Sequence, residues 1–274
     1  MTKITTICAG GITFSHKYDH TVPAEINTRH CHDAYEILLL SEGEGRYIVE
    51  GCEYNISPGT VMFTHPFEYH CIDINPEIPY ERSVVAFPRE AVPEAALELL
   101  SDTYNKDGGG CFYPPEAISP FVVSLFERFE LSSGMPERER EIYMRLLVGE
   151  LIVLLSAAKS EKLSYDDEDI GAKVRRYIND HITKEIRLDE LSRRFFVSKY
   201  YLCRAFKRRN GVSIHGYITH KRVMYAKQLI DNGESASGAA YKVGFCDYSA
   251  FYRAYVKIIG KSPSAEGGRD KGGV

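Results

Sequence analysis

The sequence predicts a multidomain α+β chain. An N-terminal β-barrel or jelly roll is backed by a helical hairpin. An all-α domain follows, with two helix-turn-helix units joined by a long helix. Three observations carry this. Short β-forming segments recur between Gly and Pro signals in the first third of the chain. Two later segments repeat apolar residues at helical spacing. Finally, Leu188–Gly211 and Ser235–Pro263 read as two copies of one unit: short helix, tight turn, second helix.

At 274 residues, 44% hydrophobic and 26% charged, the chain suits two domains with cores of their own. Its net charge of −4 hides a division. Residues 1–168 hold 13 Lys and Arg against 28 Asp and Glu, a net of −15. Residues 169–264 hold 19 against 8, a net of +11. Only the second half is therefore expected to meet a polyanion. Seven cysteines without a CxxC pair fit reduced thiols, not a disulfide framework or a zinc finger. The opening MTKITTICAGGITF lacks the apolar core of a secretion signal. The most apolar run, Leu146–Leu155, is short and carries Glu150. No membrane partner and a cytoplasmic location are expected.

Residues 1–20 read as an arm of irregular or edge-strand structure. Tyr35–Leu40, Gly45–Glu50 and Thr60–Phe63 read as strands between Gly43, Gly51, Pro58-Gly59 and Pro66. Residues 89–101 suggest a helix, and Gly108–Gly110 a loop. Amphipathic helices are expected near 116–132 and 137–159, broken by Ser133-Gly134-Met135-Pro136. Phe121, Val122, Leu125 and Phe129 would line the first, and Ile142, Leu146, Leu147, Leu151, Leu154 and Leu155 the second. That hairpin packs on the barrel, pairs with a second copy of the chain, or does both. The expected organisation is a sensing barrel with its arm at 1–115, a dimerising hairpin at 116–158, a linker at 159–168, the helix-turn-helix domain at 169–266 and a disordered tail at 267–274.

In the first helix-turn-helix unit Leu188, Leu191 and Phe195 form a buried stripe, Phe196 and Val197 the turn, and Ser198 the cap of the next helix. Leu202 and Phe206 face inward. Tyr200, Cys203, Arg204 and Lys207 face out, and Lys207, Arg208 and Arg209 form a cationic end suited to phosphates. In the second unit Ala239, Ala240 and Val243 are the stripe, Gly244 the turn and Asp247 the cap. Phe251 and Tyr255 face inward, leaving Tyr248, Ser249, Ala250, Tyr252 and Arg253 outside. Arg204 and Arg253 occupy matching positions. Each suits a guanine edge or a phosphate, or else a structural ion pair. Ser213–Asp231 reads as one helix; at ~1.5 Å per residue it spans roughly 28 Å. That is close to the ~34 Å between successive major-groove faces on one side of duplex DNA.

Ala240–Pro263, with SKYYLCRAFKRRNGVSIHGYI in the first unit, closely resembles the AraC/XylS family of bacterial transcription regulators. The resemblance covers about the last hundred residues. It implies base-facing roles for Tyr200, Cys203, Arg204, Tyr248, Ser249, Ala250, Tyr252 and Arg253. Ala236 and Ala239 stand where the family carries larger aliphatics, and the usual Tyr-Arg after Ser-Pro is replaced by Ser264-Ala265-Glu266.

His30-Cys31-His32-Asp33-Ala34-Tyr35-Glu36, followed by Gly43, resembles the first cupin motif; Pro58-Gly59 with His70 resembles the second. The resemblance implies that His30, His32, Glu36 and His70 converge inside the barrel. On a strand, His30, His32 and Glu36 would share a face. Three readings stand: a polar effector pocket, a divalent transition-metal site and a structural role. Tyr47, His65 and Arg82 would add polar contacts, Arg82 favouring an anion. The expected function is a non-enzymatic, sequence-specific DNA-binding regulator. Its partners are double-stranded promoter DNA, a small-molecule effector such as a sugar or related metabolite, a second copy of the chain and, for an activator, RNA polymerase. The alternative is a metal-binding cupin with enzymatic or metal-sensing activity fused to a DNA-binding domain.

Overall fold

The computed structural model describes residues 3–20, 29–101, 103, 110–158, 160, 169–231 and 233–263. The chain divides into two compact units, Met1–Tyr165 and Asp166–Val274. Gly108, Gly109, most of the expected linker and the expected tail lie outside the described residues.

The first unit is three layers. Strands β1 (Lys3–Ala9), β2 (Ile12–Asp19), β3 (Tyr35–Glu42), β6 (Val61–Thr64), β8 (Tyr80–Phe87) and β9 (Cys111–Tyr113) form one sheet in the order β1-β2-β8-β3-β6-β9. Strands β4 (Gly45–Val49), β5 (Cys52–Ile56) and β7 (His70–Ile74) form a second, in the order β5-β4-β7. Every pairing is antiparallel. Leu38, Leu40, Met62 and Val84 of the large sheet meet Tyr47, Tyr54, Ile72 and Ile74 of the small one in a shared core.

The other face of the large sheet carries Ile37, Leu39, Phe63, Val85 and Phe87. It is covered by α1 (Pro120–Leu131) and α2 (Glu137–Ala157) through Leu125, Phe129, Leu147, Leu151 and Leu155. With both faces buried, β3 reads as the unbroken run Ile37–Leu40 instead of alternating. Each such buried side chain contributes about 1.5–3 kcal/mol of transfer free energy.

Three local expectations are corrected. Residues 3–19 are strand and not irregular: Gly10 and Gly11 turn β1 back onto β2, and β2 pairs with β8, so β1 is an edge strand as expected and β2 lies inside the sheet. Residues 89–101 form three short 3-10 turns, because Pro88 and Pro93 interrupt any longer helix. On α1 and α2 the burial rotates: Phe126, Met144, Val148 and Ile152 are buried, whereas Phe121, Ile142 and Leu146 are 70%, 53% and 61% exposed.

Among the described residues, the regular elements of the second unit are all helices. They are α3 (Ile170–Asp180), α4 (Leu188–Arg194), α5 (Lys199–Asn210), α6 (Ile214–Asp231), α7 (Ala236–Lys242) and α8 (Tyr248–Ile259). Val174, Ile178, Leu191, Leu202, Phe206, Ile214 and Tyr217 make the first core. Ala239, Ala240, Val243, Phe251 and Tyr255 are buried where α7 and α8 pack on α6. Helix α6, with 18 residues, is about 27 Å long. Leu188, expected in the first stripe, is 39% exposed because it starts α4 instead of lying within it. Among the described residues no helix is long and apolar enough to cross a membrane.

Candidate functional site

The sensor-side cluster joins exposed His30 and half-buried His32, from the segment before β3, to buried His70 on β7. His30 and His70 exchange backbone hydrogen bonds of 3.0 and 2.9 Å, and the His32 carbonyl accepts from Phe67 N at 2.9 Å. The strand-alternation argument for His30, His32 and Glu36 therefore fails, since β3 begins only at Tyr35 and His30 makes an isolated bridge. The side chains meet nonetheless. One ring nitrogen from each of His30, His32 and His70 lies within 4.8 Å of the other two. His32 Nε2 is 3.0 Å from Glu36 Oε2, and His70 Nε2 is 3.7 Å from Glu36 Oε1.

The protonation pattern follows from these contacts. His70 Nδ1 lies 2.8 Å from the Glu68 carbonyl, which only accepts, so that nitrogen donates and Nε2 is the one left facing the cluster. Burial pushes the His70 pKa down, against the pull of Glu36. Burial alone would raise Glu36, but the His32 hydrogen bond and the charges of the facing imidazoles and Arg82 outweigh it and hold the carboxyl at about 2. The Glu36 hydrogen bond raises His32, opposed by burial. A metal-binding imidazole commonly donates its second nitrogen to a carbonyl, as His70 does here. The donor set suits a divalent transition metal.

Tyr47 is buried, its ring stacked on His70 at 6.0 Å between centroids. Arg82 shares its sheet face with Tyr80 and Val84, and its charge reaches Glu36 and Tyr47. His65 is a correction: it does not join the cluster. It stacks on Phe63 at 5.0 Å and meets Tyr35 edge-on at 5.5 Å, on the helix-covered side of the sheet. Its Nε2 is 3.3 Å from Thr103 Oγ1 and its Nδ1 is 3.9 Å from Glu68. Sequence reasoning missed Thr64, whose hydroxyl donates to the Glu36 carbonyl at 3.3 Å. It stands opposite Glu36 in the β3–β6 pairing, a register that only the folded sheet reveals.

The second candidate surface lies on α5 and α8. Ser198 caps α5 by accepting from Tyr201 N at 3.2 Å, and Gly211 closes it with φ of 76°. Asp247 caps α8, accepting from Ser249 N at 3.1 Å and Ala250 N at 2.8 Å. With Leu202, Phe206, Phe251 and Tyr255 buried, Tyr200, Arg204, Lys207 and Arg208 are exposed on α5, and Ser249, Tyr252 and Arg253 on α8. Cys203 is corrected: it is half-buried and packs against the first core. Tyr248 is also half-buried, its ring 5.7 Å from Phe251, and Ala250 is half-buried.

Comparisons with known proteins match both units. Residues 20–148 match the AraC-like ligand binding domain, and residues 191–266 a helix-turn-helix domain. The chain is 24% identical over 239 residues to the HTH-type transcriptional activator RhaS of Escherichia coli O139:H28, covering 85% of each chain. It is 24% identical over 233 residues to the HTH-type transcriptional regulator YbfI of Bacillus subtilis, covering 80% of this chain and 79% of that one. The crystal structure of the AraC-like transcriptional activator CuxR aligns at 12% identity and a TM-score of 0.43, over 82% of this chain and 80% of the other. A ligand-binding domain followed by a helix-turn-helix domain identifies the chain as a member of the AraC/XylS family, an effector-controlled, DNA-binding transcription regulator.

Proposed function

We propose that α5 and α8 are the two reading heads. Tyr200, Arg204, Lys207 and Arg208 would contact the duplex from α5, with Cys203 at the margin. Ser249, Tyr252 and Arg253 would do so from α8, flanked by Tyr248 and Ala250. The supporting observation is the pair of capped, outward-facing helices, each bearing an exposed Arg at the matching position, in the half of the chain with net charge +11. Selection of duplexes from a random pool, followed by gel shift with Arg204→Ala and Arg253→Ala, tests this. Retained affinity and sequence preference in both variants would refute it.

In the first unit, His30, His32, Glu36, His70, Tyr47 and Arg82 would supply the polar contacts for an oxygen-rich, anionic effector such as a sugar derivative. His30, His32 and His70, with Glu36 beside them, would hold a divalent transition metal, which when bound supplies an open position for such a ligand. Native mass spectrometry with added zinc or nickel checks this directly, His70→Ala serving as the control. The effector shifts promoter occupancy only by binding one domain arrangement more tightly than another. Phe121 on α1 and Ile142 and Leu146 on α2 are exposed apolar side chains, and they support a homodimer through the hairpin. The regulator would work in the cytoplasm, without enzymatic activity, and as an activator would contact RNA polymerase.

A further inference from the structure

Arg222 stands in the middle of α6, the helix shared by both helix-turn-helix units. Its guanidinium donates to three main-chain carbonyls: Nε to Ile182 at 2.9 Å, Nη2 to Lys184 at 2.6 Å and Nη1 to Gly244 at 2.7 Å. Ile182 and Lys184 lie between α3 and α4, on the segment leading into the first unit. Gly244 is the turn of the second unit, between α7 and α8. One half-buried side chain therefore ties the approach to the first unit to the turn of the second.

The contact is close as well as branched. Gly244 has φ of +92°, and a Cβ there would meet Thr183 O at 2.9 Å and the Arg222 guanidinium carbon at 3.0 Å. The second turn is thus seated on the guanidinium and on the first unit's leading segment at once. Helix α6 fixes the distance between the units along its own axis. It does not by itself fix how each unit is rotated about that axis. A planar fork with donors in set directions does so, and a lysine ammonium lacks that geometry. A reading head that is misplaced by about 1 Å loses much of its bidentate contact with a base edge.

We propose that Arg222 is the positioning residue that sets the angle between α5 and α8, and so decides which spacing of DNA half-sites the protein accepts. This rests on the reading that both helices enter the duplex. It is tested with the full chain on a site selected from a random duplex pool, its halves assigned by footprinting. Affinity is measured for that duplex, for versions with one base pair added to or removed from the spacer, and for a duplex holding the first half-site alone. Arg222→Lys and Gly244→Ala should each bind the selected duplex about tenfold more weakly. Their preference for the selected spacing should shrink to about twofold, with single-half affinity unchanged within about twofold. A spacing preference equal to wild type, or an equal loss on the single half, overturns the proposal. Unfolding of both variants by circular dichroism also overturns it, by making Arg222 a stability residue only. If wild type selects no site, the DNA-binding reading itself falls.

Discussion

Helix α8 depends on one carboxylate, and removing it has a calculable effect. Asp247 Oδ1 accepts from Ser249 N at 3.1 Å and Oδ2 from Ala250 N at 2.8 Å. Two of the four orphan amides at that helix start are thereby satisfied by one side chain. The site is exposed, so water replaces the lost acceptors and the cost stays within the range of a cap, about 1–2 kcal/mol for Asp247→Ala. The negative charge at the positive end of the helix contributes about 0.3–1 kcal/mol of that. Asp247→Asn keeps one acceptor oxygen and should lose roughly half as much. The assay is hydrogen exchange resolved to α8, which reports this helix whatever the first unit does. A loss of 1.4 kcal/mol lowers protection about tenfold when exchange follows local opening. DNA affinity should fall less than twofold, because a helix opened a few per cent of the time is still formed almost always. Unchanged protection in Asp247→Ala, or an equal loss in Asp247→Asn, would refute the capping argument.

Arg204→Ala should relax base preference at one position of the first half-site and cost about 1–3 kcal/mol there, read by quantitative gel shift on single-base variants. Phe196 has φ of 53° and is 95% exposed, so Phe196→Asn removes backbone strain without losing packing; urea unfolding should show a gain of about 0.5–1 kcal/mol. Ile142→Glu with Leu146→Glu should convert a dimer to a monomer in sedimentation without lowering the melting temperature, and an unchanged mass would remove the hairpin from the interface. Burial lowers the pKa of His65, so the folded state resists the proton that the unfolded chain accepts. Its contribution to stability is complete above about pH 6.5 and declines as pH drops below that value. His65→Gln should flatten the stability profile below about pH 6.5 in denaturant titrations, and an unaltered slope would contradict the assignment.

Helix-turn-helix features were readable because their signals are local. Ser198 and Asp247 cap helices within three residues of themselves, Gly211 closes one at its end, and Leu202 and Phe206 mark an inner face by their spacing. The charge division between the halves is likewise independent of folding. The hairpin was half readable: Phe121 and Phe126 are both apolar and both fit a helical stripe, and only contact with the large sheet buries Phe126. The His65 misassignment has the same root. Thr64 and His65 are neighbours on the chain, and strand alternation sends one toward Glu36 and the other into the opposite core.

Short-range periodicity thus marked the two helix-turn-helix units and most of the outward faces of α5 and α8, and the resemblance carried by Ala240–Pro263 pointed to the family. The cupin-motif resemblance already implied that His30, His32 and His70 meet; tertiary structure decided that they do so without sharing a strand, and that Arg222 clamps Ile182, Lys184 and Gly244. The reason is chemical. A main-chain carbonyl is the same at every residue, so a contact made to one leaves no mark on the identity of the residue that accepts it.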